Sequence, residues 1–224
     1  MSLTRDAITA ENAAAYGGLI DAVGGVATVV LAICGLVNIA PGPLSAVATI
    51  VFGVALLIQG GAMVSEYAQV TFPAEMDEAS ADSFGGNSLV TVFLVGAAGI
   101  VLGILALLGI QSGTLTPVAV IAYGTALLLS SNAVWRLYAM RRASRRQPGA
   151  ATHGGGEIIA SEMASGSAGL QAVAGLTAIV LGVIALAGAP NDLTLNLAAL
   201  LVLGATIILT GGTLSATVIS FMRK

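Results

Sequence analysis

Charge is scarce in this sequence. Asp, Glu, Lys and Arg make up 8% of its residues, whereas 57% are hydrophobic. A water-soluble domain normally carries about a quarter charged residues. A mean hydropathy of +0.98 over 224 residues therefore excludes the one or two soluble domains that length alone would allow. Cysteine is limited to Cys34, which rules out an intramolecular disulfide and a Cys-rich metal site. The segment "VLAICG" around Cys34 is similar to a lipoprotein cleavage box, but Ile33 stands where a small residue is needed. The reading is an inert thiol buried in the first helix. Histidine is limited to His153, in a Gly-rich stretch, so no paired-His metal site and no Ser-His-Asp constellation has its parts. No surface combines basic and aromatic residues as nucleic acid requires.

Long apolar runs dominate instead. Leu19–Ile39, Leu44–Val64, Leu89–Ile110, Val118–Met140, Leu170–Leu186 and Leu195–Met222 approach or exceed the roughly 20 residues that a helix needs to cross a bilayer core. Backbone polar groups in lipid must be satisfied internally, and the runs lack the alternation of a membrane barrel strand. The expectation is an all-α integral membrane protein with six transmembrane helices. Residues 1–224 then form a single membrane domain, and the bilayer is its first partner.

The basic residues orient it. Arg5, Arg136, Arg141, Arg142, Arg145, Arg146, Arg223 and Lys224 fall before helix 1, between helices 4 and 5, at the inner end of helix 4, or after helix 6. The connections "VNIAPGP", "IQSGTLTP" and "AGAPNDL" on the other side contain no Lys or Arg. The positive-inside rule predicts that both termini are cytoplasmic. Trp135 and Arg136, followed by Arg141, Arg142, Arg145 and Arg146, read as anchors at the headgroups, with Arg136 snorkelling.

The chain also repeats itself. "GIVLGILALLG" (residues 99–109) returns as "AIVLGVIALAG" (178–188). Aligning Gly103 with Gly182 brings "VFGVALLIQGG", "AYGTALLLSSN" and "LVLGATIILTGG" into register at Gly53, Gly124 and Gly204. Three hairpins follow, at about 8–67, 72–140 and 157–222, with a linker at 141–156. A two-span repeat enters the membrane in one sense each time, so the pseudo-three-fold axis is expected along the membrane normal. This differs from the inverted repeats of many transporters. Small residues four apart share a helix face and let backbones approach. On that ground Gly24, Ala32, Gly53, Gly99, Gly103, Gly124, Ala178, Gly182 and Gly204 are assigned to helix packing. Glu11, Glu75 and Glu162, with Ile8, Phe72, Met76, Ile159 and Met163, fit either short interfacial helices or solvated connectors in the inner segments.

Chemistry is hard to find in these residues. No catalytic, cofactor-binding or metal-ligating set is present, and no enzyme is expected. Asp21 at the edge of helix 1 is replaced by Gln171 in the third copy. Gln59, Ser130, Ser131, Asn132 and Thr210 recur at matching places and form a candidate polar girdle. They either bond to neighbouring helices or line a path for a small neutral solute.

The stretch "AAGIVLGILALLGIQSGTLTPVAVIAYGTALLLSSNAVWRLYAMRRASRR" resembles the short membrane repeat of the HdeD-type family. Shared features are the "G-x-L-G" helix, the outer connection with proline (Pro41 and Pro43, Pro117, Pro190) and the second helix with a central Gly. The resemblance implies a non-enzymatic bacterial inner-membrane protein connected with acid or general stress resistance. The alternatives are a neutral-solute pore and an accessory subunit of a larger complex. As protein partners, the reading admits further copies of this chain or other membrane subunits.

Overall fold

The computed structural model describes the backbone of residues 22–71, 86–144 and 156–222, and side chains within 22–61, 91–131 and 166–210. All regular structure among the described residues is helical: α1 (Ala22–Leu36), α2 (Pro41–Thr71), α3 (Gly86–Leu107), α4 (Ser112–Ser144), α5 (Gly156–Leu186) and α6 (Asp192–Met222). Four of these are long and apolar enough to cross a membrane, over Pro41–Gly61, Ser112–Ser131, Ala168–Leu186 and Asp192–Thr210. The described apolar stretches of the other two, Ala22–Leu36 and Thr91–Leu107, are shorter. Multiple apolar helices of this length are those of a multi-pass membrane protein.

Short connections join α1 to α2, α3 to α4 and α5 to α6, and their geometry follows from residue type. After α1, Asn38 takes φ 69° and after α3, Gly109 takes φ 81°, the left-handed conformation that ends a helix. The amides then turn back. Asn38 N donates to Gly35 O and Ile39 N to Cys34 O; Gly109 N donates to Ala106 O and Ile110 N to Leu105 O. That pair of bonds satisfies carbonyls that the helix end would leave free. Gly188, at φ 82°, ends α5 with the first of these bonds, to Ala185 O. Pro190 follows it, and the last connection takes a different path into α6. Pro41 opens α2 at the position where a missing N–H costs nothing.

Helices α2, α4 and α6 touch one another pairwise and form the inside of the bundle. Helix α3 packs on α2 and α4, and α5 packs on α4 and α6. Helix α1 meets α2 through Gly24 and Ala55, and α6 through Gly25 and Gly35. The exposed apolar side chains belong mostly to the outer three helices: Val26 and Val30 on α1, Leu94 and Val101 on α3, Val173 and Val180 on α5. Buried residues of α2, α4 and α6 supply most of one continuous core. Several threonine hydroxyls inside this apolar bundle bond within their own helices. Thr28 donates to Gly24 O, Thr49 to Ser45 O and Thr206 to Val202 O, each at 2.8 Å.

Backbone contact between hairpins is made at glycine. A Cβ on Gly53 would lie 2.9 Å from Gly96 O, and one on Gly96 would lie 2.9 Å from Gly53 O. Gly124 and Gly175 stand in the same reciprocal relation at 2.6 Å, and Gly25 and Gly204 at 2.8 and 3.0 Å. No side chain fits at those distances, so any substitution pushes two backbones apart. Gly103 and Gly182 add a second contact on the same helix pairs, against Ile50 and Ile121 at 2.6 and 2.7 Å.

The described backbone departs from the sequence reading at three places. Pro43 and Pro117, read as part of the outer connections, lie inside α2 and α4, because those helices start earlier than the apolar runs. Residues 156–186 form one unbroken helix, so Ile159 and Met163 lie on α5 and not on a separate interfacial helix. Cys34 is free but half-buried, because α1 stands on the outside of the bundle. Asp21, Glu11, Glu75, His153, Arg145 and Arg146 lie outside the described residues.

Candidate functional site: the axis of the inner helices

On the facing surfaces of α2, α4 and α6, side chains from all three hairpins converge. Gly53, Gly124 and Gly204 give a common register. One residue before each stand Phe52, Tyr123 and Leu203, and three residues after stand Leu56, Leu127 and Ile207. All six are buried members of the one core cluster. The Phe52 and Tyr123 rings meet at 4.8 Å between centroids, tilted by 55°. At this level the facing surfaces of the three helices are packed with buried carbon side chains.

Tyr123 carries its hydroxyl through this layer without leaving it unsatisfied. The phenol reaches from α4 into a notch left by Gly53 on α2 and Gly99 on α3, and donates to Thr49 O at 2.7 Å. A Cβ on Gly99 would collide with the phenol oxygen and ring. A buried Tyr O–H needs such an acceptor, and the missing glycine side chains make its path.

Polar residues flank the apolar layers at both ends. Toward the short connections, eight residues before the register glycines, stand Ser45, Thr116 and Asn196, all buried. Asn196 Nδ2 donates to Ser45 Oγ at 2.8 Å, tying α6 to α2, and Thr116 donates to Ser112 O at 2.8 Å. Asp192, one turn before Asn196, is the only Asp, Glu, Lys or Arg among the described side chains. Its carboxylate accepts from Leu193 N at 2.6 Å and lies near Gly113 at the start of α4. The N-terminal ends of helices are where a negative charge is best tolerated.

At the opposite end, six residues after the register glycines, stand Gln59, Ser130 and Thr210 of the candidate girdle. Ser130 and Thr210 are buried and Gln59 is half-buried. Ser130 donates to Leu127 O at 2.9 Å and approaches Gln171 Oε1 at 3.5 Å. Ser131 donates to Leu128 O at 2.8 Å, and Thr210 bonds to Thr206 O at 3.0 Å and Ile207 O at 3.1 Å. All of these are local except the Ser130–Gln171 contact, which joins α4 to α5. Asn132 lies on α4, with a side chain outside the described set; Trp135, Arg136, Arg141 and Arg142 lie further along the same helix in the same situation.

Among the nine residues assigned to packing, Gly53, Gly124 and Gly204 meet backbone of a neighbouring hairpin, whereas Gly24 meets Ala55 within its own. Ala32 and Ala178 are fully buried. Sequence reasoning missed Gly25, Gly96 and Gly175, and also the Ser45, Thr116, Asn196 layer. Both were marked by regular spacing: the three glycines each lie seven residues before Ala32, Gly103 and Gly182. Among the described residues no group of three His, Cys, Asp or Glu side chains is placed to hold a metal ion. No family model, curated protein or solved structure matches the chain.

Proposed function

We propose that the protein is a non-enzymatic, multi-pass protein of the bacterial inner membrane that works through helix packing and assembly. It consists of three hairpin repeats, α1–α2, α3–α4 and α5–α6, in pseudo-three-fold order about the membrane normal, with both termini cytoplasmic. One observation carries this reading: the reciprocal glycine contacts Gly53–Gly96, Gly124–Gly175 and Gly204–Gly25 join successive hairpins at one register. Close backbone approach at small residues is how helices associate where lipid removes the hydrophobic force between them. The filled axis at Phe52, Tyr123 and Leu203 weighs against a pore for neutral solutes, and lipid is the partner of the exposed outer helices.

The resemblance to the HdeD-type repeat points to acid or general stress resistance as the physiological setting. Deleting the gene from its host is expected to lower survival after acid shock, and wild-type protein to restore it. Unchanged survival, with no partner copurifying in mild detergent, would remove the support for this reading. Copurification of a defined set of membrane proteins without a stress phenotype would instead favour an accessory subunit. Membrane-impermeant labelling of single cysteines placed at residues 2 and 224, in a Cys34→Ala background, tests the orientation. Both positions should be protected in intact cells stripped of their outer membrane.

A further inference from the structure

The polar layer at the connection end of the inner helices contains one group that the packing leaves unanswered. Asn196 is 1% exposed, and its Nδ2 is committed to Ser45 Oγ, but its Oδ1 has no hydrogen-bond partner among the described residues. A buried carbonyl without a donor costs about 1–3 kcal/mol. Thr116, buried at the same register of α4, has given its proton to Ser112 O and keeps only acceptor capacity. Ser45 Oγ accepts the amide and keeps its own proton as well as a further lone pair.

Two acceptors have no proton left to give, Asn196 Oδ1 on α6 and Thr116 Oγ1 on α4. They stand at one register with the Ser45 hydroxyl on α2 and select a molecule that donates. A cation would satisfy them too, but α2, α4 and α6 all begin here with dipoles that oppose positive charge, and the one carboxylate at this end, Asp192, already accepts from Leu193 N. A neutral donor of the smallest size is what remains, and two to four polar partners is the normal complement of a buried water. We propose that Ser45, Thr116 and Asn196 hold one water molecule, which donates to Asn196 Oδ1 and Thr116 Oγ1. It enters from the connection end, where Gly113 and Thr114 are exposed. Phe52, Tyr123 and Leu203 stop it from going further.

The test uses the full chain in lipid nanodiscs, deuterated and labelled with 15N-asparagine, with the Asn196 side-chain signal assigned by its loss in Asn196→Leu. Magnetisation transfer from water to the Asn196 amide protons is measured in the wild type, Thr116→Ser and Thr116→Val. A direct water cross-peak is expected in the wild type and in Thr116→Ser, which keeps the hydroxyl. It should fall severalfold in Thr116→Val, in which the Asn196 signal must remain at its wild-type position for the comparison of folded proteins. A visible Asn196 signal with no water cross-peak in the wild type overturns the proposal, because a protein hydroxyl has then turned to Oδ1. A cross-peak at full intensity in Thr116→Val overturns it as well, since the water then does not rest on the three-helix layer.

Discussion

The backbones of Gly124 and Gly175 come so close that a Cβ on either would lie 2.6 Å from the carbonyl oxygen of the other. Neither contact partner is a flexible side chain, so the strain of a substitution cannot be relieved by a rotamer change. Gly124→Ala and Gly175→Ala should each destabilise the protein by about 1–3 kcal/mol, the range for overpacking a close-packed interior. Gly169→Ala is the control: the space around it is open, and alanine is worth about 1 kcal/mol over glycine within a helix. Thermal unfolding in mild detergent should therefore show two losses and one gain or no change.

Tyr123 and Gly99 are expected to be coupled. Gly99→Ala places a methyl group against the phenol, while Tyr123→Leu introduces the residue that α6 carries at the matching place, Leu203. Each single change is destabilising, but the double variant should be more stable than the sum predicts, by about 0.5–3 kcal/mol as for residues in contact. A double-mutant cycle on unfolding midpoints measures it, and strict additivity would refute the notch.

Ser45 and Asn196 should show the asymmetry of buried polar pairs. Ser45→Ala removes the acceptor of the Asn196 amide and should cost about 1–3 kcal/mol. Asn196→Leu in that background removes the orphaned amide altogether and should recover part of the loss, because replacing both partners with apolar groups can be nearly neutral. A further loss of stability in the double variant would show that the asparagine has contacts beyond Ser45 and the bound water.

Solute flux addresses the axis directly. Liposomes containing the wild-type protein should match protein-free vesicles in permeability to glycerol, because buried Phe52, Tyr123 and Leu203 occupy the centre. A protein-dependent permeability abolished by Gln59→Leu with Asn132→Leu would establish the pore in place of the packing role.

Much of the helical architecture was legible because apolar length and repeated glycine spacing are local properties. What the spacing left open was which face meets which partner. Gly24 and Gly25 are adjacent in sequence and about 100° apart around α1. The first meets Ala55 in its own hairpin, and the second meets Gly204 in another. A sequence repeat marks both but cannot assign their partners. Ser130 and Ser131 pose the same problem: composition makes them a girdle, whereas both donate to carbonyls of their own helix and Ser130 also approaches Gln171 on α5. Asn196 escaped notice because a single asparagine near a helix start reads as a turn residue until α2 is seen to bury it.

The contact of Gly25 with Gly204 brings the first described helix against the last. A row of stacked hairpins has two ends that can fray independently, as in linear repeat proteins. Here the row bites its own tail, so every hairpin has a neighbour on both sides and none can peel away by opening one seam. Loss of any hairpin exposes two glycine-lined faces at once, which ties the fate of the whole bundle to each of its seams.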